Sequence, residues 1–350
     1  MKKLLPFAFF LATLGLFAQD TIVEKVEIID LKKFNFSGSV DAYFRANFNG
    51  SNKGSSKGEF AAPGSSFADL PGFALGMANV VASYEGEKAG FVADLVFGPR
   101  GTDAIFASPM YSMTGNIVNQ LYAYWNVTDN FTLTFGNFNT FLGYEVISPT
   151  ANFNYSTSYL FSYGPFSHTG IKADFSITDD LSLMLAVMNP TDLTEFNPNG
   201  KYAYGAQLGF KGQYLNFLSS EGTYEIDFTG GFDLTDSFFF GINGAYFDGD
   251  GSGFWGVALY PQVALSETFS LGFRGEYFKE DNDFGAINTG VEDSNVFAAT
   301  LTGSFAINNL TIKPELRLDS ASDDSYYFVD NDLSPQKSLS SFVLAAIYAF

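Results

Sequence analysis

From Phe34 to the last residue, segment after segment of this chain alternates between a dry side and a wet side. In residues 34–46, apolar or small residues hold the even positions, and Asn35, Ser37, Asp41 and Arg45 hold odd ones. Tyr224, Ile226, Phe228 and Phe232 alternate in the same way with Glu225, Asp227 and Asp233. Further on, Leu310, Ile312, Leu316 and Leu318 alternate with Lys313, Glu315, Arg317 and Asp319. Successive side chains of a strand point to opposite faces, so a sustained period of two predicts strands with one wet and one dry face.

The alternating segments fall at 34–47, 72–84, 89–98, 117–127, 131–142, 166–177, 181–189 and 201–211. They continue at 213–220, 223–234, 237–247, 253–265, 268–279, 295–306, 310–319 and 338–350. That makes about sixteen, within a range of fourteen to eighteen, and an even number puts both chain ends on one side. Short turn signals such as Thr128-Asp129-Asn130, Thr178-Asp179-Asp180 and Asn308-Asn309 separate some of them. Longer, wetter stretches at 48–71, 143–165, 279–294 and 320–337 separate others. Tight and long connections thus alternate, the rhythm of a transmembrane barrel with short periplasmic turns and long external loops.

Composition decides what the dry face meets. Aromatic residues make up 18% of the chain, with 41 Phe, 19 Tyr and 2 Trp. Charged residues are only 16%, against about 25% in soluble domains. Disorder is excluded, because disordered chains are poor in aromatic and apolar residues. Within the segments Asp41, Arg45, Asp94, Lys172, Asp174, Lys211, Glu225, Asp227, Asp233, Arg274, Glu276, Lys313, Glu315 and Arg317 all oppose the large apolar residues. Aromatics gather near segment ends, as at Trp125, Phe131, Tyr202, Phe238, Trp255 and Phe269, which is the girdle of a lipid-facing sheet. In lipid only a closed sheet satisfies its backbone hydrogen bonds. The expected fold is therefore all-β, a transmembrane antiparallel up-and-down barrel of about sixteen strands over 34–350.

The chain's two ends suit that reading. Lys2 and Lys3 precede an apolar run from Leu4 to Phe17, and Ala18 offers a small residue for cleavage, so residues 1–18 read as an export signal. Without it the chain carries 16 basic and 38 acidic residues, a net charge of −22. Such a chain repels nucleic acid. Residues 19–33 form a periplasmic segment in which Ile22, Val26 and Ile29 suit a short amphipathic helix or a flexible lead. At the other end Phe342, Leu344, Ala346, Tyr348 and Phe350 share one parity. This resembles the terminal signal by which barrel-insertion machinery recognises its clients.

A run from Gly136-Asn137-Phe138 to Gly143-Tyr144-Glu145 leads into Asn152-Phe153-Asn154-Tyr155-Ser156 and then Pro165-Phe166-Ser167-His168-Thr169-Gly170. This stretch resembles the OmpL-like β-barrel porin family of Gram-negative outer membranes, most sharply over 117–190. The resemblance implies a pore-forming outer-membrane protein and transfers no catalytic or ligand residue.

Candidate chemistry is sparse. His168 is the only histidine and there is no cysteine, so a hydrolase site would have to be built on His168 beside Ser167 or Ser156. No catalytic residue, metal site or cofactor is expected. Asp248-Gly249-Asp250-Gly251 opens like a calcium loop, but Leu259 stands where an EF-hand needs its Glu, so it reads as a hairpin turn. The acidic runs at 280–283 and 319–332 suit solvation or cation bridges to lipopolysaccharide. The informative set is the ladder Lys172/Asp174, Arg274/Glu276 and Lys313/Glu315/Arg317, with Arg45, as pore-lining charges. The expected function is passive diffusion of small hydrophilic solutes or ions with mild cation preference, through a lumen wide enough at sixteen strands. The alternative is an accessory barrel, with a plugged lumen, in a larger envelope complex. Outer-membrane lipid and lipopolysaccharide are the expected surroundings, and a homo-oligomer is compatible with both readings.

Overall fold

The computed structural model describes residues 33–53, 67–105 and 117–350. The expected leader at 1–18, nearly all of 19–33, and residues 54–66 of the first long connection lie outside the described residues.

The strands are β1 (Phe34–Asn47), β2 (Gly72–Glu85), β3 (Ala89–Phe97), β4 (Val118–Thr128), β5 (Phe131–Asn139), β6 (Ser167–Ser176), β7 (Leu181–Met188) and β8 (Ala203–Phe210). Then follow β9 (Gln213–Ser220), β10 (Thr223–Thr235), β11 (Phe238–Gly249), β12 (Ser252–Ala264), β13 (Phe269–Asp281), β14 (Asn295–Ile307), β15 (Leu310–Val329) and β16 (Pro335–Ala349). Among the described residues two single-turn helices lie in connections, α1 (Pro99–Asp103) and α2 (Tyr159–Tyr163). Each strand pairs antiparallel with its sequence neighbours, and β16 returns to β1 to close a sixteen-strand barrel. At the seam Val40 faces Tyr348, and Gly38 and Phe350 exchange two backbone hydrogen bonds of 3.0 Å. The chain's last residue therefore helps remove the sheet edge that lipid would not tolerate.

The outer surface carries the dry parity. Phe73 is 92% exposed and Phe135 71%, with Leu121, Trp125, Ile171, Phe217 and Leu316 also exposed. The opposite parity, including Asp41, Arg45, Asp94, Glu225, Arg274 and Glu315, is buried inside.

Three local departures have physical causes. Lys211 is not in a strand: it shares a two-residue turn with Gly212, both at positive φ, and lies 3.5 Å from Asp180. Glu221-Gly222 and Asp250-Gly251 are turns of the same kind, so two connections at the long-loop end are tight. β15 runs ten residues past the expected end because its acidic stretch still pairs with β16, with Ser325 opposite Gln336 and Val329 opposite Pro335.

The largest departure is inside. The interior is not simply wet, because a cluster of Tyr159, Leu160, Phe254, Tyr260, Phe278, Ile287, Phe328 and others fills the part near the long loops. The stretches 143–165 and 279–294 had the look of wet connections. Instead Tyr155, Tyr159, Leu160, Ala286 and Ile287 are almost fully buried.

Candidate functional site

β5 leaves the wall at Asn139, three residues before its pattern ends, and residues 140–166 turn into the lumen. The strands they reach lie on the far side: β5 and β13 stand half-way round the ring from each other. The loop therefore crosses the barrel's diameter, and the wall charges receive it.

Arg274 on β13 is the central anchor. Its Nη1 donates to Glu145 Oε1 and to the Ser156 carbonyl, each at 2.6 Å. Its Nη2 donates to the Thr157 carbonyl at 3.2 Å. Two strand positions on, Glu276 accepts from Tyr159 N (3.0 Å) and Leu160 N (2.9 Å), the free first-turn amides of α2. Ser158 caps the same helix by accepting from Phe161 N, while its own N–H donates to Glu145 Oε2 at 2.7 Å.

β15 supplies the second anchor. Glu315 accepts from Tyr155 N (2.8 Å) and Ser156 N (3.2 Å). Arg317 donates to the Thr157 carbonyl at 2.8 Å and pairs with Asp319 at 2.9 Å. Lys313 donates to the carbonyls of Pro149 and Asn152 at 3.2 and 2.5 Å. Elsewhere Tyr155 donates its hydroxyl to Asp41 at 2.5 Å, and burial lifts that phenol far above its usual range. Gly143 N donates to Asp227 at 3.0 Å. Arg100 of α1 donates to the Ile147 and Tyr155 carbonyls at 2.7 and 3.0 Å.

All eight charges expected in the lumen point inward, and they divide into three groups. Arg274, Glu276, Lys313, Glu315 and Arg317 converge on the loop and are at most 4% exposed. Arg45 holds another connection, donating to the Ala68 carbonyl at 2.7 Å and to Asn47 at 3.0 Å. Lys172 and Asp174 on β6 pair with each other at 2.8 Å, and their side chains remain 26% and 39% exposed. Sequence reasoning missed Glu145, Asp41, Asp227 and Arg100 as partners. One signal was available: residues 140–166 carry a single charge, Glu145, among many aromatics, too few for a solvated loop.

His168 lies on β6, opposite Phe138 of β5. Its Nε2 lies 3.0 Å from Thr140 Oγ1 and its ring packs against Phe138 and Phe141 at the base of the loop. Among the described residues no group of three or more His, Cys, Asp or Glu could hold a metal ion.

Beneath the loop, at the short-turn end, lies a recess of about 810 Å³ lined by Tyr144, Asn152, Phe153, Gln262, Asn309 and Lys313. A second recess of about 430 Å³ adjoins it, lined by Phe141, Gln207, Tyr214 and Thr229, and shares Tyr144 and Phe239 with the first. Two adjoining recesses thus lie beneath the loop.

A closed sixteen-strand barrel with a lipid-facing exterior and an inward loop agrees with the family model described as Putative beta-barrel porin-2, OmpL-like, which matches residues 33–350. The chain belongs to that family. Solved porins and channels share the barrel's fold. The outer membrane channel DcaP of Acinetobacter baumannii is 11% identical with a TM-score of 0.58, over 91% of this chain and 97% of that one. Salmonella typhi OmpF, solved with daunomycin, is 11% identical with a TM-score of 0.60, over 93% and 100%. Vibrio cholerae OmpT in a trimer form is 11% identical with a TM-score of 0.53, over 91% and 99%. At such identities the likeness is one of fold. No curated protein matches the chain. This porin-family barrel is an outer-membrane protein, and its structural neighbours are channels.

Proposed function

We propose that the barrel admits small hydrophilic solutes or ions by passive diffusion, through a lumen that loop 140–166 narrows to a low-conductance passage. The observation that carries this reading is the division of the wall charges. Those of β13 and β15 are spent on holding the loop, while Lys172 and Asp174, on the β6 side, stay open to water. On this reading Arg45, Arg274, Glu276, Lys313, Glu315 and Arg317 shape the constriction by positioning backbone, and Lys172 and Asp174 line the passage itself. No cofactor or catalytic step is required. The charge of −22 left after removal of residues 1–18 biases entry toward cations.

Export by residues 1–18, recognition of the Phe350 strand by insertion machinery, contact with lipopolysaccharide and assembly into a homo-oligomer belong to the same proposal. One observation favours a second reading, an accessory barrel with a closed lumen: the apolar cluster that joins α2 to β12–β16 fills the upper interior.

Single-channel recording of the refolded chain in a planar bilayer separates the two. Small, stable steps that scale with salt and a cation-directed reversal potential are expected. A correctly folded but silent barrel would put the accessory reading first.

A further inference from the structure

A narrow cavity lies where both ends of the inward loop meet the wall. It has room for one water-sized body, about 10 Å³, between Leu142 and Gly143, where the loop begins, and Gly164 and Pro165, where it ends. Glu225 and Asp227 of β10 complete its lining together with Asn243. We infer that this cavity binds one hard divalent cation, of which Ca²⁺ is the test case, and that the ion fastens both loop ends to β10.

Several oxygen acceptors line part of the cavity. Around the point where a Cβ on residue 164 would sit lie the Leu160 carbonyl at 3.1 Å, Glu225 Oε1 at 3.7 Å and the Phe161 carbonyl at 3.9 Å. Glu225 is 5% exposed, and no hydrogen bond to its side chain is found among the described residues. Asp227, 1% exposed, accepts from Gly143 N, Asn216 and Asn243, which leaves an acceptor lone pair on Oδ2. Neither carboxylate joins a salt bridge among the described residues.

Two neighbouring buried carboxylates without a counter-charge are costly, and either a proton or a cation must relieve them. The surroundings favour the cation. A proton on Glu225 neutralises one charge, whereas the last carbonyls of α2 offer further oxygens of the kind Ca²⁺ takes at about 2.3–2.6 Å. Thr140 N already donates to the Phe166 carbonyl at 3.0 Å between the loop ends, and the ion would add a second fastener that reaches β10. This inference rests on the loop's geometry and stands whether or not the barrel conducts.

The test titrates CaCl₂ into the purified full barrel in detergent by calorimetry. Asp248→Asn and Asp250→Asn are combined beforehand to remove an exposed hairpin acid pair. One saturable site per chain is expected, weakened at least about tenfold by Glu225→Gln. Gly164→Ala changes no charge and suits the φ of −78° there, yet points a methyl group into the cavity, so it should weaken binding similarly. It also decides the matter if Glu225→Gln fails to fold. Hydrogen exchange then locates the ion. At CaCl₂ ten times the dissociation constant, opening at 142–143 and 160–165 should fall about tenfold. Absent binding, binding unaffected by both substitutions, or binding that leaves exchange at the loop ends unchanged would each overturn the site.

Discussion

Arg274 and Glu145 meet at 2.6 Å with side chains 0% and 2% exposed, one on β13 and the other on a loop that springs from the opposite wall. The contact joins residues 129 positions apart in sequence and spans the inside of the barrel. It makes the loop part of the core rather than an appendage. Removing one partner of a buried ion pair leaves the other charge uncompensated, at a cost of about 3–5 kcal/mol.

Arg274→Ala should therefore loosen the loop without opening the sheet, whose strand pairing does not involve this side chain. The variant is expected to keep its heat-modifiable gel mobility while its single-channel current grows larger and noisier. A current indistinguishable from the wild type would mean that the loop does not control the passage.

Lys172→Ala should behave differently. Its pair with Asp174 is partly exposed, and such pairs contribute about 0–1 kcal/mol. Stability is expected to stay level while the reversal potential moves toward stronger cation preference. An unmoved reversal potential would remove Lys172 from the water-lined path.

Asp192 lies in the connection between β7 and β8 at φ +60°, and accepts from Phe166 N and Ser167 N at 2.8 and 2.9 Å. Burial raises its carboxyl to about 6, against the opposing pull of those two N–H groups. For an acid raised in the folded state, the stability it contributes is complete below the ordinary 3.8 and is lost as pH rises through about 6. Hydrogen-exchange protection at the loop's exit should accordingly decline between about pH 4 and 6. Asp192→Asn, which keeps the acceptor oxygen and tolerates positive φ, should hold protection level across that range. A flat wild-type profile would rule this out.

Phe135 sits midway along β5 on the outer face, and Phe73 begins β2 at the long-loop end. If both meet lipid, arginine at the first should cost about 2–4 kcal/mol in vesicle unfolding and at the second about 0–1 kcal/mol. Equal effects at the two positions would contradict the depth assigned to them.

The strands were legible because strand information is local. Period two, aromatic ends and turn pairs such as Asn308-Asn309 lie within a few residues of one another, and sixteen segments read this way correspond to sixteen strands. The segment expected at 213–220 appears as β9. Lys211 was misread because a turn residue at positive φ continues the parity of the strand before it.

Parity reveals which side of the sheet a charge faces and nothing about what it meets there. Arg274, Glu276, Glu315 and Arg317 were placed inside by alternation alone, but whether they faced water or backbone depended on residues 140–166. That loop reaches them only after the barrel has closed and brought β13 within reach of a segment leaving β5. The sequence by itself determined the strands, their faces and the lipid-facing exterior, since these follow from short-range periodicity and composition. Only the tertiary structure decided that the lumen is spanned, because buried carbonyls, amides and Glu145 must find partners across the barrel's diameter.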